Sequence, residues 1–448
     1  MIPNQTKNYY KYIIFLILIV SFVLKFIYVD AVRYDVSPHD LGIPIISEDD
    51  IQTGHLGYIQ YIATYKSLPD SVEQQFYQPP LFHILAAVVY SLNYDGNDYD
   101  SAFECVQTFN MLIACIGIIF LYLIIKKTIK SHIYQVLMVA LVAFSPIFYI
   151  IGAELNGDCL MTTLSIVAIY ATICWNENDT LKNILAIAFS LSFAILAKSS
   201  AIMLSPAIGL VFILHFFKGE KTKKDYIKQF IMFLIICCII APAWLVRNYV
   251  MFDLPFSYVP LLSEDSWQYV GDLSLFERLV LPSAMQLSSV GINGNFPSEY
   301  ANIWGQTLIT ENFDEGILII GDNMIKYGVA LLRTTLVLHV FELIAIVVMI
   351  KNIIMEKSIL KKAVNILFVL SIIVVMLSYV KFAVEYPHIC TMNARYIVVS
   401  LSMAGISLGI GFENINNTII KRGWMVVSII LIGTISVLSA FLYYTCAV

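Results

Sequence analysis

The chain has 448 residues, of which 59% are hydrophobic and only 13% are charged, and its mean hydropathy is +0.78. A soluble domain cannot bury so much apolar surface, so the composition excludes a soluble globular protein and indicates a polytopic membrane protein. The formal net charge of −5 is small and argues against nucleic acid as a partner. The eight cysteines are scattered, form no CxxC pair and mostly lie in apolar stretches, which is typical of small core residues.

Apolar stretches of about 20 residues, the length that crosses a bilayer, recur along the whole chain. The first, from Tyr12 to Tyr28, is not followed by a small-residue cleavage site, so we expect a retained anchor. The pattern predicts an all-α polytopic membrane protein with about eleven transmembrane helices. The predicted spans are 12–29, 105–125, 132–152, 158–175, 182–197, 200–217, 229–246, 328–350, 363–380, 396–413 and 423–444.

Lysine and arginine clusters predict the orientation of these spans. If all the clusters are cytoplasmic, the positive-inside rule holds throughout and only one full crossing fits between the first outer loop and Lys126. The apolar piece from Pro79 to Leu92 is therefore expected to lie at the membrane surface, together with a second helix from about Ile51 to Tyr65. The basic clusters are Lys7 with Lys11, residues 126–130, 218–228 and 351–362, and Lys421 with Arg422.

Three regions follow from this arrangement. Residues 1–250 form the predicted N-terminal catalytic transmembrane module, which includes an outer loop at 30–104. Residues 251–326 form a second outer loop, long enough to serve as a lid. Residues 327–448 supply the C-terminal transmembrane helices.

The first outer loop carries Glu48, Asp49, Asp50 and His55. Sugar transfer with inversion needs a carboxylate that takes the proton of the attacking hydroxyl group, and crowding among three acids favours a raised pKa in one of them. His55 could hydrogen-bond that base or the acceptor. The acids could equally complement the dipole of a helix start, and His55 could be an interfacial polar residue, so the residues alone leave both interpretations open.

Glu154, Asn156 and Asp158 lie within five residues at a junction between two predicted spans. The Asn-Gly step favours a plain turn, whereas Asp158 at the start of the next helix would face the same compartment as Asp50. Both interpretations remain open at this point.

Lys198, Arg247 and Arg395 fall at outer ends of spans, where the positive-inside rule disfavours them. An anionic ligand such as a phosphate would explain all three, although each side chain could merely reach lipid headgroups.

Arg333, His339 and Glu342 share one predicted span. An internal ion pair and the lining of a lipid-tail channel both fit this pattern.

The order of short motifs along most of the chain resembles a known family. The motifs are EDDIQTGHLGYIQYI, YQPPLFHILAA, ELNGDCL, LAKSSAIMLSP, PAWLVRNYVMFDLPF and NARYIVVSL. This order is similar to that of the C-type (GT-C) membrane glycosyltransferases related to protein O-mannosyltransferases and bacterial aminoarabinose transferases, a group like glycosyltransferase family 39. The resemblance implies a polyprenyl-phosphate-linked sugar donor, an outward-facing active site and an inverting mechanism.

The resemblance also implies roles for individual residues. Asp50 or its neighbour Asp49 matches the first-loop acid that acts on the acceptor, although Asp-Asp replaces the commoner Asp-Glu pair. Asp158 matches a second-loop acid. A divalent metal ion, held by Asp50 and Asp158, is left open, and no other cofactor is implied. The residues expected to bind the substrate or the lipid phosphate are Lys198, Arg247, Arg395, Tyr396, His55, Glu154, Asn156, Tyr77 and Gln78.

The expected function is transfer of a sugar from a polyprenyl-phosphate-linked donor to an acceptor outside the cytoplasm, where the acceptor is a protein or a glycan. The expected location is the bacterial plasma membrane, or the endoplasmic reticulum in a eukaryote, and the other partners are membrane lipids. The alternatives are a transporter or flippase of lipid-linked sugar, for which internal repeats are typical but not seen here, and a non-catalytic membrane subunit.

Overall fold

The computed structural model describes residues 4–35, 54–96, 98–280, 302–313 and 324–447. Within these ranges the chain is helical and has no β-strand beyond one isolated bridge between Tyr269 and His388. Short 3₁₀ turns occupy Gln74–Tyr77, Ser199–Leu204, Ile389–Thr391 and Ala394–Ile397. The α-helices are α1 Asn4–Ala31, α2 Gly54–Tyr65, α3 Leu81–Asn93, α4 Tyr99–Thr128, α5 His132–Ala143, α6 Ile147–Ala153, α7 Asp158–Glu177, α8 Leu181–Ala197, α9 Ser205–Lys218, α10 Lys223–Ile240, α11 Ala243–Phe252, α12 Leu275–Leu279, α13 Ile303–Asn312, α14 Ile325–Met355, α15 Ile359–Glu385, α16 Val398–Glu413 and α17 Thr418–Ala447.

Nine helical segments in the described ranges are long and apolar enough to cross a membrane. A tenth crossing is the pair α5 and α6, bent by 41°, if the two helices cross together. The remaining predicted span falls on α8, which has only 17 residues. The all-α polytopic class is therefore confirmed, whereas the count of eleven spans is not.

Burial separates inner from outer helices. The most apolar windows of the spans that contain α7 and α16 are 78% and 83% buried, whereas that of the continuous span formed by α10 and α11 is only 11% buried. The outer helices expose large apolar side chains such as Leu234 and Ile239, as a lipid-facing surface requires. Polar side chains at the ends of α7 and α16 are thus surrounded by the other helices of the bundle.

The bend between α5 and α6 is stabilised by a buried lysine. Pro146 lies in the break between the two helices and has no backbone N–H to donate. The last carbonyl groups of α5 therefore need hydrogen-bond partners from elsewhere. The carbonyl oxygen of Ala143 accepts hydrogen bonds from Ser21 Oγ (2.5 Å) and from Lys25 Nζ (2.6 Å), both on α1. A cation at a helix C-terminus also complements the helix dipole. Lys25 therefore fixes the direction in which α6 leads towards the Glu154 loop.

One end of the bundle, called here the Lys127 end, carries two of the basic clusters. Lys127 forms an ion pair with Glu177 at the end of α7. Glu413 at the end of α16 accepts hydrogen bonds from the backbone of residues 130 and 131, and Lys421 Nζ donates to the carbonyl oxygen of Glu413 (2.9 Å). The basic groups of residues 126–130 and 421 therefore lie together, in agreement with the predicted alternation of helix directions.

The opposite end, called here the Asp158 end, is reached by α8. Asn183 in the first turn of α8 donates to the carbonyl oxygen of Asn178 (2.8 Å) at the Lys127 end. Lys198 directly follows α8 and contacts Asp158, at the beginning of α7. Since α7 and α8 are antiparallel along their whole length, α8 runs between the two ends although it is short.

The two loop regions pack on the Asp158 end. The predicted surface helices correspond to α2 and α3, although residues 51–53 of the first lie outside the described ranges. In the second loop, the backbone N–H of Val270 donates to the carbonyl oxygen of Pro387, and that of Ile389 donates to Gln268, both at 2.9 Å. The described part of 251–326 therefore attaches to the C-terminal helices; its role as a lid stays a prediction.

Candidate active site

The loop between α6 and α7 is ordered by its own side chains. Asn156 Nδ2 donates to Glu154 Oε2 (2.7 Å), and Asn156 Oδ1 accepts from the backbone N–H of Asp158 (2.9 Å). From α4, Asn110 Nδ2 donates to the carbonyl oxygens of Ile151 (3.0 Å) and Glu154 (2.5 Å). The Asn-Gly step is thus a turn, as its sequence predicts, and this turn fixes two buried carboxylates beside the first turn of α7.

A glycine lets this loop approach α8 closely. A Cβ atom on Gly157 would lie 2.5 Å from the carbonyl oxygen of Ala197 and 3.9 Å from Cβ of Phe82 on α3. Backbone atoms cannot retreat from such a contact as a flexible side chain can. Gly157 therefore brings Asp158 next to Lys198, and it brings the beginning of α3 next to both.

Lys198 and Arg395 face the two carboxylates. Lys198 Nζ lies 2.6 Å from Asp158 Oδ1. Arg395 Nε lies 3.8 Å from Asp158 Oδ2, and Arg395 Nη1 lies 3.8 Å from Glu154 Oε2. Three of these side chains are almost fully buried, whereas 19% of the Lys198 side chain is exposed. Helices from distant parts of the sequence are thus joined by one ionic network.

The turn before α16 holds Arg395 in place. The Asn393 side chain accepts from the backbone N–H of Arg395 (2.9 Å), and Thr310 Oγ1 on α13 accepts from the backbone N–H of Ala394 (2.8 Å). The ring of Tyr396 lies under both cations, 4.7 Å from Lys198 Nζ and 5.2 Å from the guanidinium carbon of Arg395. This geometry fits cation–π contacts, which keep the two positive side chains at one level.

Among the described residues, the network is balanced in charge. Two carboxylates, of Glu154 and Asp158, face two cations, of Lys198 and Arg395. Burial lowers the pKa of Lys198, and the neighbouring Asp158 carboxylate opposes that shift. Because the opposite charges compensate one another, the four ionisable groups can be buried together.

Arg247 lies at the same end of the bundle but belongs to a different set of contacts. Its guanidinium group donates to the carbonyl oxygen of Pro69 and lies 4.3 Å from the centre of the Trp244 ring. Leu196, two residues before Lys198, packs against the aromatic cluster that contains Trp244. In the described ranges no carboxylate lies within 4.0 Å of Arg247, so its charge is not balanced in the way that those of Lys198 and Arg395 are.

Tyr77 and Gln78 help to dock the first loop onto α11. Trp244 Nε1 and Asn248 Nδ2 both donate to the carbonyl oxygen of Tyr77, at 2.8 and 2.9 Å. The side chain of Gln78 donates to that of Gln75 within the same turn. The Tyr77 contacts support the helix that carries Arg247; a direct role of Tyr77 or Gln78 in substrate binding stays a prediction.

His55 is buried against a second histidine that the sequence reasoning did not select. His55 Nδ1 and His83 Nε2 are 2.9 Å apart, and the ring of Tyr58 stacks on that of His83 at 4.0 Å. Burial and the neighbouring His55 lower the pKa of His83 well below its ordinary value. The only sequence feature that could have indicated His83 is its position at the start of the helix after Pro79-Pro80. Because Phe82 approaches Gly157, this pair lies next to the Asp158 loop.

The predicted base belongs to a part of the first loop that is not among the described ranges. Glu48, Asp49 and Asp50 lie outside the described residues, so their place relative to Asp158 and Arg247 stays a prediction.

A metal site is not formed by the residues that are described. In those ranges no three His, Cys, Asp or Glu side chains are placed to hold a metal ion. Both oxygens of Asp158 face cations instead, Oδ1 Lys198 and Oδ2 Arg395. Binding of a metal to Asp158 would require these contacts to break.

Comparisons with solved structures return membrane transferases of low similarity. The S. cerevisiae protein O-mannosyltransferase Pmt1-Pmt2 complex bound to the sugar donor is matched at 18% identity with a TM-score of 0.40, over 60% of this chain and 36% of that chain. The chain thus matches about a third of the length of that yeast protein. ArnT from Cupriavidus metallidurans is matched in the apo state at 12% identity, over 91% and 78% of the two chains, with a TM-score of 0.40. Its form bound to undecaprenyl phosphate is matched at 13% identity, over 88% and 76%, with the same score.

The family comparison gives the stronger result. No protein with a curated description matches the sequence. The model of the dolichyl-phosphate-mannose-protein mannosyltransferase family matches residues 77–245, a segment that runs from the YQPP motif through Asp158 and Lys198 to α11. Over residues 77–245 the chain is therefore similar to the dolichyl-phosphate-mannose-protein mannosyltransferases, which confirms the resemblance to C-type membrane glycosyltransferases that its motifs predicted.

Proposed function

We propose that the protein is an inverting glycosyltransferase that moves a sugar from a polyprenyl-phosphate-linked donor to an acceptor on the non-cytoplasmic side of the membrane. The observation that carries the proposal is the meeting of Asp158, Lys198 and Arg395 at the end of the bundle opposite the basic clusters. By the positive-inside rule that end faces away from the cytoplasm. The match of residues 77–245 to a mannosyltransferase family adds independent support.

The proposed reaction needs a base and a cationic site for the leaving group. Asp50, or one of its neighbours Asp49 and Glu48, takes the proton of the acceptor hydroxyl group. The hydroxyl oxygen attacks the anomeric carbon opposite the phosphate, the bond between that carbon and the phosphate oxygen breaks, and polyprenyl phosphate leaves. Positive groups at the leaving phosphate lower the barrier because negative charge develops there.

The contacts favour different roles for the three cations in binding the phosphate. Lys198 and Arg395 already face Asp158 and Glu154, and a phosphate that approaches them must compete with these carboxylates. Arg247 has no carboxylate within 4.0 Å in the described ranges, and it lies near the first outer loop. We therefore assign the main phosphate contact to Arg247, with Lys198 at the partly exposed edge of the network as a second contact.

The length of chain between Asp50 and His55 is compatible with this assignment. Asp50 precedes His55 by five residues, and five extended residues reach at most about 18 Å. His55 contacts His83, and the adjoining Phe82 approaches Gly157 next to Asp158. A base at residue 50 can therefore reach the neighbourhood of Asp158 without rearrangement of α2 or α3.

The proposed function is tested with purified protein in nanodiscs that contain a polyprenyl-phosphate sugar labelled in the sugar. Wild-type protein is expected to release the label from the lipid in the presence of a membrane or cell-wall extract as the acceptor source. Asp50→Asn is expected to lower the rate by about 10²-fold or more, because a general base contributes about that factor. Asp265→Asn, which removes an exposed acid from the second outer loop, serves as the matched control.

Arg247→Met separates binding from chemistry. It is expected to weaken binding of undecaprenyl phosphate about tenfold, since a hydrogen bond to a charged group contributes about 1.5–3 kcal/mol. Arg422→Met, at the opposite end of the bundle, is the control. Full turnover by Asp50→Asn removes the assignment of the base to that residue. A labelled lipid that changes leaflet with its sugar still attached supports a flippase instead, and the transferase proposal then fails.

A further inference from the structure

A second cluster of ionisable side chains lies outside the network of Asp158. His339 on α14 has Nε2 2.8 Å from Glu311 Oε2 on α13, and Nδ1 2.8 Å from Glu342 Oε2 on its own helix. Both carboxylates are buried, with 7% of Glu311 and 5% of Glu342 exposed. Of the two sequence interpretations, an internal ion pair and a channel lining, the contacts favour the ion pair.

The two distances fit a doubly protonated imidazole ring. Ionised carboxylates only accept hydrogen bonds, so an imidazole that faces one carboxylate with each nitrogen satisfies both contacts as the doubly protonated ring. A cation between two acids makes both hydrogen bonds charge-assisted, and such bonds are shorter and stronger than neutral ones. His339 thus binds α13 to α14 by a link that depends on its positive charge.

Helix α13 connects this link to the turn that carries Arg395. Residue 310 of α13 accepts the backbone N–H of Ala394 through Thr310 Oγ1 (2.8 Å), and the very next residue is Glu311. Further contacts hold the same end of α13: Thr335 Oγ1 donates to Asn312 Oδ1 (2.9 Å), and Tyr443 OH donates to the carbonyl oxygen of Asn312 (3.1 Å).

The cluster also borders the helix that follows the turn. A Cβ atom on Gly405 of α16 would lie 3.6 Å from Glu342 Oε1, so α16 packs directly on the carboxylate. The cluster therefore lies between α13 and α16, and its hydrogen-bonded connection to the turn of Arg395 runs through α13. Charged links of this kind between packed helices are an expensive feature inside a membrane, and such groups usually serve a function.

We propose that Glu311 and His339 are positioning residues for the proposed glycosyl transfer: His339 holds Glu311, Glu311 holds α13, and α13 holds the turn that aims Arg395 at Asp158. Glu342 orients the imidazole ring through Nδ1. This inference rests on the proposed function only where it concerns transfer; the mechanical link from His339 to the Arg395 turn is a separate statement about the protein.

The link is tested without any substrate by hydrogen–deuterium exchange of the purified protein in nanodiscs, read by mass spectrometry on peptides that cover 303–312 and 392–397. Loss of the link opens these segments locally, so we expect exchange in both peptides to rise about tenfold in Glu311→Gln and in His339→Gln. Thr310→Val is expected to raise exchange in 392–397 alone. His339→Lys keeps a cation between the two acids and is expected to restore exchange to within about twofold of wild type.

Glu342→Gln is the matched comparison, because it removes the same charge from the same cluster but leaves the contact between α13 and α14. Its exchange in 392–397 is expected to stay within about twofold of wild type. If Glu342→Gln and Glu311→Gln raise exchange equally, or if neither does, the link through α13 is wrong. Should His339→Gln fail to fold, the comparison of Glu311→Gln with Glu342→Gln still decides the question.

A turnover measurement then connects the link to the site. Turnover of the labelled polyprenyl-phosphate sugar is expected to fall about tenfold in His339→Gln, because Arg395 is no longer held against Asp158, and to recover in His339→Lys, since recovery by charge alone is not expected of a residue that only fills space. Unchanged turnover in a variant whose 392–397 peptide does exchange faster would overturn the positioning role. Wild-type protein that binds no polyprenyl phosphate, with the exchange pattern intact, would instead count against the proposed function and leave the mechanical link standing.

Discussion

Replacement of Lys198 by methionine tests the charge balance at the Asp158 end. The change removes the cation 2.6 Å from Asp158 Oδ1 and keeps a side chain of similar length. Asp158 is only 1% exposed, so water cannot take the place of the lost ammonium group. At an effective dielectric constant of about 20, a pair at this distance attracts by about 6 kcal/mol before desolvation is counted.

Two effects make the loss of stability smaller than this attraction between Lys198 and Asp158. Lys198 no longer has to be desolvated, which returns several kcal/mol, and Arg395 Nε stays 3.8 Å from the other oxygen of Asp158. Removal of one partner from a buried pair typically costs about 3–5 kcal/mol, and we expect the lower end of that range, about 3 kcal/mol, because Arg395 remains.

The assay is thermal unfolding in detergent micelles, followed with a thiol-reactive fluorescent dye. Cys115 and Cys159 are buried and react only when the bundle opens, whereas exposed Cys238 gives the starting signal. Lys198→Met is expected to lower the apparent Tm by about 6 °C, at about 2 °C per kcal/mol for a large domain. Lys182→Met, at an exposed position on α8, the helix that Lys198 follows, is the control and is expected to change stability by less than about 0.5 kcal/mol.

The double variant Asp158→Asn with Lys198→Met tests whether the four charges compensate one another. It leaves Arg395 balanced by Glu154, so we expect it to recover at least about half of the lost stability while remaining inactive. A single Lys198→Met variant as stable as wild type, or a double variant less stable than the sum of the two single changes, would show that the four charges do not compensate one another.

Two further predictions concern the surroundings of the network. Gly157→Ala is expected to lower stability by about 1–3 kcal/mol in the same assay, because its Cβ meets the Ala197 carbonyl oxygen. Gly209→Ala, whose Cβ meets nothing within 4 Å in α9, is expected to stabilise the protein slightly, and the opposite order of the two would contradict the packing argument. Since the pKa of His83 is lowered in the fold, the unfolded chain takes up a proton that the native protein does not. Stability should therefore fall as the pH drops below about 6.5, by at most about 1.4 kcal/mol per pH unit. His83→Gln is expected to flatten this dependence, and an unchanged pH profile would mean that other groups cause it.

The sequence by itself determined the helical, membrane-spanning class and the approximate position of the nine long spans in the described ranges. In a bilayer every backbone polar group must be satisfied within the chain, so a long apolar stretch has to be a helix and can be read directly from hydropathy. It also predicted that Asp158, Lys198 and Arg395 lie at the same end of the bundle, because the positions of the basic clusters indicate how many times the chain crosses between them.

Only the tertiary structure decided which of these groups meet. Asp158 and Arg395 are more than two hundred residues apart, and the rotation of each helix about its axis decides whether their side chains face one another. Lipid-facing and protein-facing residues are equally apolar in a membrane, so hydropathy leaves that rotation undetermined. The same reason explains why the separate contacts of Arg247, the pairing of His55 with His83, and the burial of α13 with Glu311 against His339 could not be predicted from the sequence.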